Sequence, residues 1–293
     1  MISIIVSSYN NKWFQSFSKS VNETIGDNII YEIINIWNPK LMGICCAYNQ
    51  GAQQAKYENL LFIHEDTIFI TKNWGNKLLN LLSDKNIGVV GVAGSTYVPN
   101  VPAFWWGIKE VCFFNLIQSD ANDENVLTYR LDDKYGNSKK VYSLDGVFLA
   151  CRRDVYSEFP FNDKIKGFHG YDIDFSLRVA SKYINIVTGE ILIKHFSYGN
   201  LSKEWFTELI NIRSNYSIPK EQKNNKEYEL NKYYVFISYL YKYKTPFFWS
   251  LNKQIKYLNL QKLGVKGYMM VIFKIMKYVK FSLIRNFKLT KSS

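Results

Sequence analysis

The chain has 293 residues, of which 47% are hydrophobic and 21% charged. That length and balance fit one large or two small globular domains, and they exclude wholesale disorder, collagen-like repeats and a disulfide scaffold. The formal charge of +12 at first suggests a nucleic-acid binder, but 31 of the 37 basic residues are Lys and only 6 are Arg, the residue that supplies most bidentate phosphate and guanine contacts. The charge is also segregated. Residues 1–219 carry 21 basic and 22 acidic residues, whereas 220–293 carry 16 basic and 3 acidic. A nearly neutral body and a strongly basic tail are expected to do different jobs.

In chain order, Ile2 to Ser8 reads as a buried β-branched strand, bounded by Tyr9-Asn10-Asn11. Trp13 to Thr24 has helical spacing. Ile29 to Trp37 is a second strand, closed by Asn38-Pro39, and Ala47 to Tyr57 suits a helix. Leu60 to Ile63 is a short apolar strand ending in His64-Glu65-Asp66. Trp74 to Leu82 is a helix and Ile87 to Val92 a fourth strand. Such alternation predicts parallel strands with right-handed crossovers, and a cleft at their carboxyl ends. The tips Ser7-Ser8-Tyr9-Asn10, Asn38 and His64-Glu65-Asp66 should meet there.

From residue 95 the pattern changes. An aromatic turn region holds Trp105 and Trp106, and strand-like runs follow at 109–117 and 126–131. Tyr142 to Cys151 reads as a strand broken at Asp145-Gly146. Asp154 to Phe159 and Tyr171 to Lys182 read as helices, and Ile184 to His195 as a last strand around a Gly189 turn. The four cysteines form no Cys-x-x-Cys pair, so reduced core thiols are expected. The first residues lack the basic and apolar regions of a signal peptide, and no 20-residue apolar run exists, which points to a cytoplasmic protein.

The only histidines, His64, His169 and His195, each lie beside acidic or turn residues at the end of an element. Asp66 after an apolar strand suits a hard cation such as Mg²⁺ or Mn²⁺, and a histidine nitrogen suits Mn²⁺ better. Asp172, after the Gly167–Tyr171 loop, is placed to act as a general base, although acids also favour a helix start for structural reasons alone.

These stretches together resemble a family 2 glycosyltransferase with the GT-A fold, in the subset with His-x-Asp in place of Asp-x-Asp. The resemblance covers roughly residues 1–215. It rests on Ile2 to Asn10, on Tyr48-Asn49-Gln50-Gly51 with Leu60 to Asp66, on Leu144 to Leu149, on Gly170 to Asp174 and on His195. It implies an α/β, Rossmann-like and mostly parallel sheet flanked by helices, with a C-terminal basic helical extension beyond 219. It also implies inverting transfer of a sugar from a nucleotide-sugar donor to a glycan or lipid-linked acceptor in cell-surface polysaccharide synthesis. Asp172 would be the base, and Asp66, His195 and His64 would hold a divalent metal, Mn²⁺ or Mg²⁺. Ser8, Tyr9, Asn10, Asn38, Asn49, Gly51 and Glu65 would line the donor site. Trp105, Trp106, Asp145, Gly146, His169 and Tyr171 would face the acceptor. For the asparagines a turn or cap role competes, and for the tryptophans core packing. The acid that often ends the second strand has no counterpart in Ile34-Asn35-Ile36-Trp37-Asn38.

In the tail, 220–230 reads as a Lys-rich connector and Tyr234 to Trp249 as an aromatic segment. Leu260 to Leu289 reads as a basic amphipathic helix, with Lys262, Lys266, Lys274, Lys277, Lys280 and Arg285 on one arc and Val271, Ile272, Ile275, Met276, Val279 and Leu283 opposite. Such a helix suits an anionic membrane surface, here the inner face of a bacterial membrane; the alternative is packing on the body. Two other classes compete: a non-catalytic sugar-binding relative, and a nucleic-acid binder acting through the tail. The second lacks a helix-turn-helix, zinc or RNP signature.

Overall fold

The computed structural model describes residues 1–132, 134, 136–197 and 201–290, the last six by backbone alone. The chain divides into two compact units. One takes Met1–Val98, Trp105–Leu201 and Ser214–Pro219; the other takes Pro99–Phe104, Ser202–Arg213 and the chain from Lys220 on.

In the first unit β1 (Ile2–Ser8) buries Ile2, Ile4, Ile5 and Val6 completely, as a strand covered on both faces must. It pairs in parallel with β2 (Tyr31–Trp37) and β3 (Asn59–His64), in a register that sets Ser8 opposite Trp37 and Ser7 opposite His64. The three strands therefore end together, with Tyr9, Asn38 and Glu65-Asp66 just beyond one rim. Helices α1 (Asn11–Thr24) and α2 (Ile44–Gln54) form the crossovers. Gly51 faces the sheet: a Cβ there would meet Ile5 Cγ2 at 2.3 Å, so α2 lies closer to β1 than any side chain allows.

β4 (Thr67–Phe69), α3 (Trp74–Ser83), β5 (Ile87–Gly91) and β6 (Ala93–Ser95) follow. The run 109–117, expected to be extended throughout, opens with a 3-10 turn at Lys109–Val111 and then divides into β7 (Cys112–Phe114) and β8 (Leu116–Gln118). β9 (Leu127–Tyr129), β10 (Ser138–Val141), β11 (Ser143–Leu144) and β12 (Phe148–Arg152) come next. They are followed by α4 (Arg153–Glu158), α5 (Tyr171–Val179), β13 (Ile184–Thr188) and β14 (Ile193–His195). The main sheet has seven strands in the order β10-β13-β5-β12-β3-β1-β2. β2, β1, β3, β5 and β13 run one way. β12 enters antiparallel between β3 and β5, and β10 antiparallel at the edge. The mostly parallel α/β expectation holds.

The single last strand expected over 184–195 is two strands in two sheets. β13 belongs to the main sheet, while β14 crosses into a four-stranded sheet ordered β4-β14-β8-β9. The Gly189 turn redirects the chain, and the new pairing sets His195 beside Thr67 on one side and Gln118 on the other. All four cysteines are free, with Cys45 and Cys151 buried.

In the second unit, α6 (Lys203–Ile212) is followed by α7 (Lys226–Lys242), which starts within the expected connector because Asn225 caps it, accepting from Glu227 N and Tyr228 N. Buried Glu229 accepts from Asn100 N at 3.1 Å, and buried Lys232 donates to Phe104 O at 3.0 Å, so α7 holds the 99–104 segment by its backbone. α8 (Phe247–Tyr257) and α9 (Leu260–Thr290) complete the unit. The uninterrupted helix expected over 260–289 is broken at Gly264, whose φ of 68° lies in the left-handed region. Lys262 precedes that break and does not share the arc of the later lysines. Arg285 lies outside the described side chains. Among the described residues, no helix is long and apolar enough to cross a membrane.

Candidate functional site

The turn between β3 and β4 carries Asp66, and β14 brings His195 to it. His195 Nε2 lies 3.5 Å and His64 Nδ1 4.0 Å from Asp66 Oδ1, and one ligand atom from each of the three residues lies within 4.8 Å of the others. The turn is braced from both sides: Thr67 Oγ1 donates to His64 O at 2.8 Å, and Phe196 N donates to Asp66 O at 2.9 Å. His195 Nε2 is buried and has no hydrogen-bond partner among the described residues. Burial holds the His64 imidazole below its ordinary value, with His195 acting in the same direction and Asp66 opposing. Burial raises the Asp66 carboxyl, but a hydrogen bond from His195 and the charge of the His195 and His64 rings when these are protonated outweigh that and hold it below its ordinary value. Two imidazoles and one carboxylate, with an orphaned buried nitrogen aimed between them, are a donor set that fits Mn²⁺ better than Mg²⁺.

A second carboxylate stands nearby. Asp172 occupies the first turn of α5, behind Gly170 at φ 77°. Its Oδ2 accepts from Gly146 N at 3.1 Å, and Ser176 Oγ donates to Asp172 O at 2.6 Å. Burial, then repulsion from Asp145, raises the Asp172 carboxyl to about 7. A carboxylate poised near neutrality is matched to taking a proton from a hydroxyl. Asp145 Oδ1 in turn accepts from Val147 N at 2.9 Å, which shapes the turn. Asp174 is wholly buried and structural, paired with Arg178 at 2.8 Å and with Asn215 Nδ2 at 2.8 Å.

Tyr171 joins the two halves. It is buried among Tyr48 and Phe161, and its hydroxyl lies 2.7 Å from His64 Nε2. It is thus a brace behind a histidine. A Cβ on Gly146 would meet that hydroxyl at 2.0 Å. Gly146 is there to admit Tyr171.

Several residues expected to line the donor site are engaged by the scaffold. Asn49 Nδ2 donates to Phe161 O at 2.8 Å and to Asp163 Oδ1 at 2.7 Å, while Oδ1 accepts from Tyr156 OH at 2.8 Å and Phe161 N at 3.2 Å. That fills the four places an amide offers. Asn38 is buried and bonded to Ser7 Oγ and to both backbone groups of Met42. Asn10 caps α1, accepting from Lys12 N and Trp13 N. Glu65 is buried and accepts from Tyr9 N at 3.0 Å and Asn10 N at 3.2 Å. Burial raises its pKa, and those two bonds oppose the rise. Ser8 is buried, its hydroxyl on Asn35 Oδ1 at 2.7 Å, and Gly51 serves helix packing. Trp105 is 5% exposed, packed on Trp106 and Phe114, so it presents no free ring face. Trp106 is half-buried beside it, and His169 is half-buried in the loop before α5.

Tyr9 differs. It is 67% exposed at the rim, and partial burial, then Asp66 and Glu65, raises its pKa. Trp37, its neighbour across the strand ends, is also exposed. A residue missed from sequence is Gln118, whose Oε1 lies 3.2 Å from His195 Nδ1. Nothing in the sequence places position 118 beside 195; only the β8–β14 register does.

Proteins of known structure share this architecture. No curated protein matches the sequence. A crystal structure of S. aureus TarS in complex with UDP superposes with a TM-score of 0.56 at 12% identity, covering 100% of this chain and 92% of that one. A second TarS structure gives 0.55 at 11% identity over the same shares. GalNAc-T7, crystallised with UDP, GalNAc and Mn²⁺, gives 0.50 at 12% identity, covering 73% of this chain; this chain spans only 48% of that one. These likenesses show the GT-A fold. The glycosyltransferase-like family matches residues 3–233, most of the chain's length, and the chain belongs to that family.

Proposed function

We propose that the protein moves a sugar from a nucleotide-sugar donor to a hydroxyl of a glycan or lipid-linked acceptor, with inversion, in bacterial cell-surface polysaccharide synthesis. The observation that carries this reading is the pairing of the His64–Asp66–His195 cluster with Asp172, a carboxyl raised to about 7 behind the Gly146 turn. His64, Asp66 and His195 would hold a divalent cation, which would supply positive charge against the departing diphosphate. Asp172 takes the acceptor's hydroxyl proton as the oxygen bonds to the anomeric carbon and the bond from that carbon to the phosphate oxygen breaks. Gly146 N fixes the orientation of the carboxylate for that transfer. Exposed Tyr9, at the end of β1, offers a ring face to the nucleobase. UDP in the TarS and GalNAc-T7 crystals, and Mn²⁺ in the latter, support a uridine diphosphate donor and Mn²⁺ as the first to try.

The test is a panel of nucleotide sugars with and without Mn²⁺, read by calorimetric binding and by slow donor hydrolysis. Metal-dependent binding of one donor, lost in Asp66→Ala, is the expected result. A protein that binds no donor sinks the proposal, and so does an Asp172→Asn variant that turns over normally.

The second unit supports a peripheral place at an anionic membrane. α9 turns Leu263, Gly267, Val271, Tyr278 and Ser282 inward, and α7 packs against it. Its other side exposes Met269, Phe273 (58%) and Met276 (61%) between Lys266, Lys277 and Lys280. From residue 230 to the end there is no Asp or Glu. Apolar groups interleaved with unopposed lysines match a lipid interface, where the chains enter and the ammonium groups reach the headgroups. Flotation of the full chain with anionic vesicles, and none with zwitterionic ones, is expected; equal behaviour with both rejects it.

A further inference from the structure

His195 can hold a cation through Nε2 only if the neutral ring carries its proton on Nδ1. The neighbour that decides this is Gln118. The two residues are register partners in the parallel β8–β14 pair, and Gln118 Oε1 lies 3.2 Å from His195 Nδ1. The orientation of the Gln118 amide is itself determined. Its Nε2 faces carbonyl oxygens: it donates to Ser197 O, to His195 O at 3.3 Å and, more weakly, to Ser119 O at 3.5 Å. A carbonyl cannot donate, so a flipped amide would set oxygen against oxygen. Oε1 must therefore face the imidazole, and Nδ1 must be the donor.

We propose that Gln118 is a positioning residue that selects the Nδ1–H tautomer of His195 and so leaves the Nε2 lone pair directed at the Asp66 carboxylate. The arrangement explains the buried, partnerless Nε2. A lone pair there, 3.5 Å from a carboxylate oxygen, has no favourable partner until a cation sits between them. Tyr171 stands in the equivalent position behind His64, on Nε2, which leaves Nδ1 toward Asp66. Each ligating ring is thus backed by a neutral oxygen. Losing such an outer partner typically lowers metal affinity 10- to 100-fold.

The inference rests on the metal reading of the triad, but its first test does not. With three histidines in the chain, a long-range ¹H–¹⁵N spectrum of the metal-free protein at pH 8 resolves each ring, and His195→Gln assigns its signals by their loss. The expected result is His195 protonated on Nδ1. An Nε2–H ring overturns the proposal. The second test is calorimetric Mn²⁺ titration of the wild type and of Gln118→Leu, each first shown to be folded by circular dichroism. The variant should bind at least tenfold more weakly, with its His195 no longer confined to one tautomer. Binding within twofold of wild type overturns the role of Gln118. A wild type that binds no Mn²⁺ rejects the metal reading instead, and the tautomer spectrum still decides the claim about Gln118.

Discussion

The Tyr171 hydroxyl reaches within 2.7 Å of His64 Nε2 through space that exists because residue 146 has no side chain. The Asp145-Gly146 turn, which also presents its amide to Asp172, therefore governs both halves of the site. A methyl group at 146 must displace either Tyr171 or the turn. Gly146→Ala is expected to destabilise the protein by about 1–3 kcal/mol, the usual range for overpacking. It should also weaken Mn²⁺ binding through His64. Urea unfolding and metal titration check the two effects, and unchanged values in both would show that Tyr171 can move freely.

Asp172 makes opposite predictions for activity and stability. In the proposed role of general base it must be ionised, so kcat/KM should rise with pH and level off above about 7. Asp172→Asn should lower kcat by roughly 10²–10⁴-fold. For stability, the folded-state pKa lies above the ordinary 3.8, so the folded protein binds this proton more tightly than the unfolded chain. The associated stability is fully present below about 4 and is lost as pH rises through about 7. Asparagine removes that dependence. Thermal melts between pH 5 and 8 should show Asp172→Asn gaining on the wild type as pH rises; a constant difference would place the titration elsewhere.

Asn49 ties α2 to the 156–163 region through four hydrogen bonds. Asn49→Ala leaves the backbone groups of buried Phe161 without that partner and should cost roughly 1–3 kcal/mol. Donor affinity in the folded fraction should stay within twofold. A selective loss of donor affinity at unchanged stability would restore Asn49 to the donor site.

Lys266 and Lys277 are exposed on α9. At about 1 kcal/mol per basic group near an anionic surface, changing both to Glu should reduce vesicle binding tenfold or more. Folding stability should change by no more than about 0.5 kcal/mol, as at other exposed positions. Binding that resists this double change would show that the lysines do not face the lipid.

Much of the architecture was legible because it depends on local pattern. A β-branched run identified β1, a short apolar run identified β3, and helical spacing identified α1 and α3, since burial on both faces or on one stripe leaves a direct mark on residue order. That His64, Asp66 and His195 would share one rim with the Asp172 loop was legible for a related reason: polar residues at the carboxyl ends of buried strands have few purposes other than a cleft. Asn38, Asn49, Glu65 and Trp105 were read as ligand contacts because residue type alone does not say what a polar or aromatic group meets. A buried amide satisfied by backbone looks the same in sequence as one facing a donor. Gln118 left no mark at all, because its partner lies 77 residues away and only a strand register joins them.

The sequence by itself determined the α/β class, the separation of a neutral body from a basic tail and the residue types that can hold a cation and move a proton. Those follow from composition and periodicity, which act over a few residues. The tertiary structure decided which of those groups share one space and which are engaged in holding the scaffold. Those depend on non-local packing and on hydrogen-bond satisfaction, in which most buried donors and acceptors find partners distant in the chain.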